Sequence, residues 1–179
     1  SVNGERHACV AWWQAPVLAT GGTGLWRQVG QPDAAGGSWV ILFCDTSALI
    51  KLYIKEAFSA EVHAHAAMAK TVAVSRIAWA EAMAALARRV RENAVDAEAI
   101  ETVRTRLRHD WSGFAIVEVT QTLVEQAGEY ADTFALRGYD SVQLAAARQL
   151  QEAAAMDVCF GCFDARLEKA AKILGMQTL

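Results

Sequence analysis

From residue 40 onward, short unbroken apolar runs alternate with longer stretches in which apolar residues recur every three or four positions. Val40 to Cys44 is the first such run and predicts a buried parallel strand. Thr46 to Lys70 has the spacing of a helix. Thr71 to Val74 is β-branched and short, and Ser75 stands where it would cap a helix reaching about Asn93. A second helix, about Asp96 to Asp110, follows as its antiparallel neighbour. Ala115 to Val119 reads as a strand, and Gln121 to Leu136 and Tyr139 to Ala154 as helices separated at Gly138. Val158 to Phe160 is a further strand. A last helix, about Ala165 to Leu174, ends at Gly175 as its C′ residue, before a short terminal strand. Strands alternating with helices predict an α/β domain with a parallel sheet covered on both faces.

Residues 1 to 38 carry neither period for long. Both prolines and seven of the 12 glycines fall in this region, which predicts a boundary near residue 39. Residues 1–39 are therefore expected to be a disordered arm, a cloning remnant or an over-extended start, and 40–179 the folded domain. Arg6 ahead of Ala8 to Trp13 has a faint signal-peptide character, but Gln14 and Pro16 break the run. Trp12, Trp13 and Trp26 would suit a small docking role if the arm is native.

The remaining composition narrows the classes. The chain has 179 residues, 54% of them hydrophobic, enough for one sizeable core. No apolar stretch approaches the roughly 18 residues of a membrane span. A formal net charge of −3 offers no global attraction to nucleic acid, so any phosphate-binding surface must be local. Four cysteines, Cys9, Cys44, Cys159 and Cys162, are too few for a disulfide scaffold and suit a reducing, cytoplasmic setting.

The chemistry lies in where the acids fall. Asp45 follows the first strand, Asp140 follows Gly138-Tyr139, and Asp164 follows the strand around Val158 to Phe160. Such handovers lie at the carboxyl edge of a parallel sheet, where ligands bind and helix N-termini favour carboxylates. Asp140 with Gln143 also has the form of a capping pair, and Asp164 of a simple cap. Asp45 is less easily explained that way, because Ser47 is available as a competing cap. Glu81 has Ile77, Ala78, Ala84 and Ala85 three and four residues away, which places it on an inward face where a carboxylate needs a cation or a metal. Arg88 and Arg89 stand about two turns off. Several carboxylates meeting without a basic partner call for a hard divalent ion, Mg²⁺ or Mn²⁺, and such an ion is apt for phosphodiester hydrolysis.

Four blocks carry a family resemblance: Leu42 to Leu49 with Lys51 and Tyr53; Ser75 to Glu81 with Ala85-Leu86; Leu136 to Ala145; and Phe163 to Leu167 with Ala170-Ala171 and Gly175. In this order and spacing the chain resembles the PIN-domain family, and within it the VapC-type toxins of bacterial toxin–antitoxin pairs. The resemblance implies a three-layer α/β/α sandwich with a mostly parallel central sheet. Asp45, Glu81, Asp140 and Asp164 would gather around one or two divalent ions, and the hydroxyl of Thr46 or Ser47 would assist the metal or orient a water. It further implies an endoribonuclease whose metal-activated water leaves 3′-hydroxyl and 5′-phosphate ends, a cognate antitoxin as partner, and a homodimer. Relatives often carry Ser, Thr or Asn two residues before the last aspartate, where this chain has Cys162. The other readings are a non-catalytic RNA-binding or regulatory module of the same fold, and a DNA-directed nuclease.

Three further features have ordinary explanations beside functional ones. Arg88, Arg89, Arg91, Arg104, Arg106 and Arg108 form either a solvated face balanced by Glu92, Glu98 and Glu101 or a surface for phosphates or an antitoxin. Lys51 and Arg137, nearer the acids, are the expected contacts to the RNA backbone. Cys159-Phe160-Gly161-Cys162 has C-x-x-C spacing but overlaps a strand and has no second pair, so it is read as structural. His63, His65 and His109 are not spaced to join the acids, and Trp79 belongs to the core or to a docking groove.

Overall fold

The computed structural model describes residues 40–154 and 156–179; the expectations for residues 1–39, Cys9 and the three early tryptophans included, lie outside them. Five strands, β1 (Val40–Cys44), β2 (Thr71–Ser75), β3 (Ala115–Val117), β4 (Asp157–Gly161) and β5 (Gln177–Thr178), form one sheet in the order β3-β2-β1-β4-β5. Every pairing is parallel. The helices are α1 (Thr46–Lys51), α2 (Ser59–Met68), α3 (Ala78–Glu92), α4 (Ala97–Asp110), α5 (Gln121–Phe134), α6 (Gly138–Ala153) and α7 (Ala165–Ile173).

Strand alternation sorts the core into two layers. Leu42, Cys44, Val72 and Val74 face one side and pack with Leu49, Val62, Leu86, Val103 and Leu107 from α1 to α4. Ile41, Phe43, Ala73 and Phe160 face the other, under Leu123, Leu144 and Leu167 of α5, α6 and α7. Phe43 and Phe160, both fully buried on adjacent strands, stack with centroids 5.7 Å apart. Trp79 lies against Trp111 at 4.9 Å, an edge contact that assigns it to the first layer. The three-layer architecture is the one the sequence predicts.

Two local expectations are corrected. The helix expected across 46–70 is two helices joined by an irregular turn, and the turn ends on Phe58 at φ +69°. Ser59 Oγ closes it, accepting from Glu56 N at 3.0 Å and donating to Ile54 O at 2.9 Å. Ser75 caps nothing; it is the last residue of β2, and α3 starts at Ala78 without a side-chain cap. Its hydroxyl is buried with no hydrogen-bond partner among the described residues.

At the end of α7, Gly175 takes φ +77°, and Met176 N bonds back to Ala171 O at 3.0 Å, closing a left-handed C-terminal cap. A Cβ there would meet nothing within 4 Å, so the cost of one is purely conformational. Gly175→Ala is expected to destabilise by about 1 kcal/mol, read as a few degrees in a thermal melt. An unchanged melt would mean the cap contributes nothing.

Candidate active site

The carboxyl edge of the sheet carries all four acids. β1 ends at Cys44 and hands directly to α1, with Asp45 as N-cap: Oδ1 accepts from Ala48 N at 2.9 Å and from the Ser47 hydroxyl at 2.7 Å. Asp45 thus fills the capping place for which Ser47 seemed available. Asp45 N still donates to Gly161 O at 2.9 Å, so its backbone belongs to the β1–β4 ladder. Gly161 permits that closeness, since a Cβ on it would lie 3.2 Å from Ala48 Cβ and 3.1 Å from Leu179 Cδ1. Asp45 is 7% exposed, and burial pushes its carboxyl up to about 6, ahead of the opposing hydrogen bonds from Ala48 and Ser47; the negative charge of Glu81 adds to the rise.

Glu81 sits in the first turn of α3, where the helix dipole favours a carboxylate. The buried stripe of α3 is Ala78, Ala82 and Leu86, while Ala84 and Ala85 are exposed, so Glu81 lies half-buried at the margin of the inward face rather than on it. Its Oε2 accepts from Thr46 Oγ1 at 2.8 Å and from Gln143 Nε2 at 2.5 Å. Gln143 Nε2 also lies 3.2 Å from Thr46 Oγ1, closing a three-membered network. Among the described residues no guanidinium or ammonium takes part: Arg88 pairs with Glu92 and Arg89 with Glu56. Gln143 is 2% exposed and is the site residue that sequence reasoning missed, having read it as half of a capping pair. Asp140 forms no such pair with Gln143, which turns to Glu81; its carboxyl instead accepts from the backbone of Arg137, the N-cap residue of α6.

Asp140 and Asp164 are the second couple. Asp140 is half-buried, and its carboxyl is raised by burial first and by Asp164 second, which together outweigh the opposing pull of Arg137. Asp164 is exposed and does cap α7, accepting from Arg166 N at 2.9 Å and Leu167 N at 3.0 Å. Cys162 lies between the couples: burial pushes its thiol up, and Asp45, Glu168 and Asp164 push it further. Ser47 ties the two strand ends together, its Oγ accepting from Phe163 N at 3.1 Å while donating to Asp45.

The donor set suits a hard divalent cation, being all oxygen and partly desolvated, with Arg137 beside Asp140 the basic counter-charge among the described residues. The acids stand as two couples, however, and among the described residues no three acidic, histidine or cysteine side chains are close enough to hold one ion.

The expected phosphate contacts separate. Arg137 is exposed at the start of α6. Lys51 is buried, 2.6 Å from Glu56 Oε1, with Nζ 4.7 Å from the Phe163 ring centroid. A long side chain held by an ion pair and a ring is not free to follow an RNA backbone, so that expectation for Lys51 is withdrawn. The arginines of α3 and α4 are largely matched in place, Arg104 and Arg108 by Glu101 and Arg106 by Asp110, as the solvated-face reading expects. Cys44, Cys159 and Cys162 are free and buried.

A family model described as PIN domain matches residues 42–173. Ribonuclease VapC45 of Mycobacterium tuberculosis is 32% identical over 107 residues, covering 60% of this chain and 74% of the relative. Two solved structures share the fold. PAE2754 from Pyrobaculum aerophilum is 22% identical with TM-score 0.53, over 78% of this chain and 83% of its own. FitAcB from Neisseria gonorrhoeae is 15% identical with TM-score 0.54, over 77% and 96%.

Proposed function

The chain belongs to the PIN-domain family, and on that premise we propose that it is a Mg²⁺- or Mn²⁺-dependent endoribonuclease, the toxin of a toxin–antitoxin pair. Its kinship with a VapC ribonuclease supports the substrate class. The observation that carries the catalytic reading is Asp45: a strand-terminal carboxylate, 7% exposed, held by two hydrogen bonds and facing the negative charge of Glu81. Such an arrangement is costly for the free protein and is relieved by a bound divalent ion.

In this reading the two couples, Asp45 with Glu81 and Asp140 with Asp164, would supply the oxygen ligands of the ion, which must draw them closer than they stand in the free protein. When bound, it supplies a water of lowered pKa and neutralises charge on the scissile phosphate. Ser47 holds Asp45 in its rotamer, Thr46 and Gln143 hold Glu81 toward it, and Arg137 receives a phosphate oxygen of the strand. Products carry 3′-hydroxyl and 5′-phosphate ends. A cognate antitoxin restrains the activity, and the enzyme works as a homodimer in the cytoplasm. That setting agrees with three free cysteines among the described residues, and no described helix is long and apolar enough to cross a membrane.

One observation favours a second reading, a non-catalytic RNA-binding module: the acids stand in couples rather than in one cluster. Incubating purified protein with total cellular RNA separates the two. Cleavage in Mg²⁺ or Mn²⁺ that stops in EDTA and returns on adding metal is the expected result. Binding without cleavage in either metal, after any antitoxin has been removed, would leave the module.

A further inference from the structure

Phe58 is an anomaly that the acid site does not explain. A large aromatic residue occupies the left-handed region at φ +69°, where glycine or asparagine would be unstrained, and it does so with 61% of its surface exposed. Neither backbone preference nor burial accounts for it. Its ring stacks on Phe163, with centroids 5.4 Å apart and planes 21° from parallel. Phe163 immediately precedes Asp164, and its N–H bonds to Ser47 Oγ, which in turn bonds to Asp45. The ring pair is therefore joined to two of the four acids through one short chain of contacts.

The turn that presents Phe58 is braced from three sides. Ser59 Oγ closes it, Glu56 is held by Lys51 at 2.6 Å and by Arg89 at 3.4 Å, and Lys51 Nζ sits 4.7 Å from the Phe163 ring centroid. An ion-paired lysine thus backs the lower ring while the outer face of Phe58 stays open. A rigid, solvent-facing aromatic surface at the rim of a phosphodiester site suits one constituent of a single-stranded nucleic acid, the flat face of a base.

We propose that Phe58, supported by Phe163 and Lys51, is a base-stacking subsite that seats a nucleobase flanking the scissile phosphate. This rests on the ribonuclease reading for the identity of the strand. The subsite selects an unpaired base by its π-face, so it favours single-stranded over duplex RNA and is tolerant of which base it takes.

The test reads binding separately from cleavage. Full-length wild type, Phe58→Ala, Phe58→Leu and Phe58→Trp are titrated into a fluorescently labelled single-stranded oligoribonucleotide, with Ca²⁺ replacing Mg²⁺, and Kd is read by anisotropy. Loss of one stacked base is expected to raise Kd about 5- to 150-fold for the Ala and Leu variants and to leave Trp within about twofold of wild type. An abasic substitution at one strand position should weaken wild type by a similar factor and leave Phe58→Ala almost indifferent. Phe58→Gly should bind as poorly as Ala yet melt at a higher temperature than Ala, since it relieves the strained backbone. An unchanged Kd for Phe58→Ala overturns the subsite. Leu binding as well as Phe also overturns it, because the surface is then a general apolar contact such as a protein partner would use. If these shifts appear but wild type cleaves nothing in Mn²⁺, the stacking subsite stands and the nuclease reading fails.

Discussion

Asp45→Asn is expected to lower RNA cleavage by a factor of about 10² to 10⁴ while making the metal-free protein more stable at neutral pH. The loss follows from removing a carboxylate ligand of an ion that contributes several kcal/mol of charge stabilisation in phosphoryl chemistry. The gain follows from linkage. The folded-state carboxyl of Asp45 is raised from 3.8 to about 6, so between those values the folded chain holds a proton that the unfolded chain has released. Stability therefore falls as pH rises through this window, and the deficit is complete above about pH 6, amounting to up to about 3 kcal/mol. Asparagine cannot ionise, yet its Oδ1 can still accept from Ala48 N and Ser47 Oγ. In EDTA at pH 7.5 the variant should melt several degrees above wild type, and near pH 4 the difference should vanish. Mg²⁺ should raise the melting temperature of wild type alone. A variant that is less stable than wild type in EDTA at pH 7.5 would refute the account of Asp45 as a carboxylate strained by burial.

The second large effect concerns Gln143. Its amide bridges Glu81 and Thr46 from inside α6, and the assignment of Nε2 to the carboxylate side follows from charge, because Oε1 there would repel Glu81 Oε2. Oε1 itself is buried without a partner among the described residues, an arrangement that costs stability and is maintained because the other end of the amide holds the carboxylate. Gln143→Leu should keep the fold, since it removes that orphaned oxygen at similar volume. It should nonetheless weaken Mn²⁺ binding about 10- to 100-fold, the usual cost of losing an outer-shell partner of a metal ligand. Calorimetric titration of Mn²⁺ into the two proteins measures this directly. Equal affinities would show that Glu81 needs no help to face the ion.

What was legible in the sequence was whatever depended on period and on handover. β1, β4 and the three aspartates at handovers were legible because an apolar run or a helix break with an Asp close behind it leaves few local alternatives, Asp45 directly after Cys44 most plainly. Gln143 was not legible because its partners lie 62 and 97 residues away, and its spacing from Asp140 imitates a cap. The turn before α2 was hidden for a similar reason: Leu52, Tyr53, Ile54 and Ala57 continue an apolar rhythm through it, while Glu56, one of the residues that hold it, is bound by Arg89 33 residues on. Glu81 was placed on the right helix but too deep, since Ala84 and Ala85 are as content in water as in a core. Lys51 could be read as a surface cation only until Phe163 and Glu56 were seen around it.

Phe163 N and Ser47 Oγ meet across 116 residues, and Asp45 is seated against a strand that is made late in the chain. A ribosome therefore releases Asp45, Glu81 and Asp140 before the segment that fixes Asp45 and supplies Asp164. No growing chain that stops short of β4 has the complete set. On the proposed reading the chemistry can arise only once β4 and the start of α7 have left the ribosome, so the order of translation serves as the first restraint on the activity, ahead of any partner.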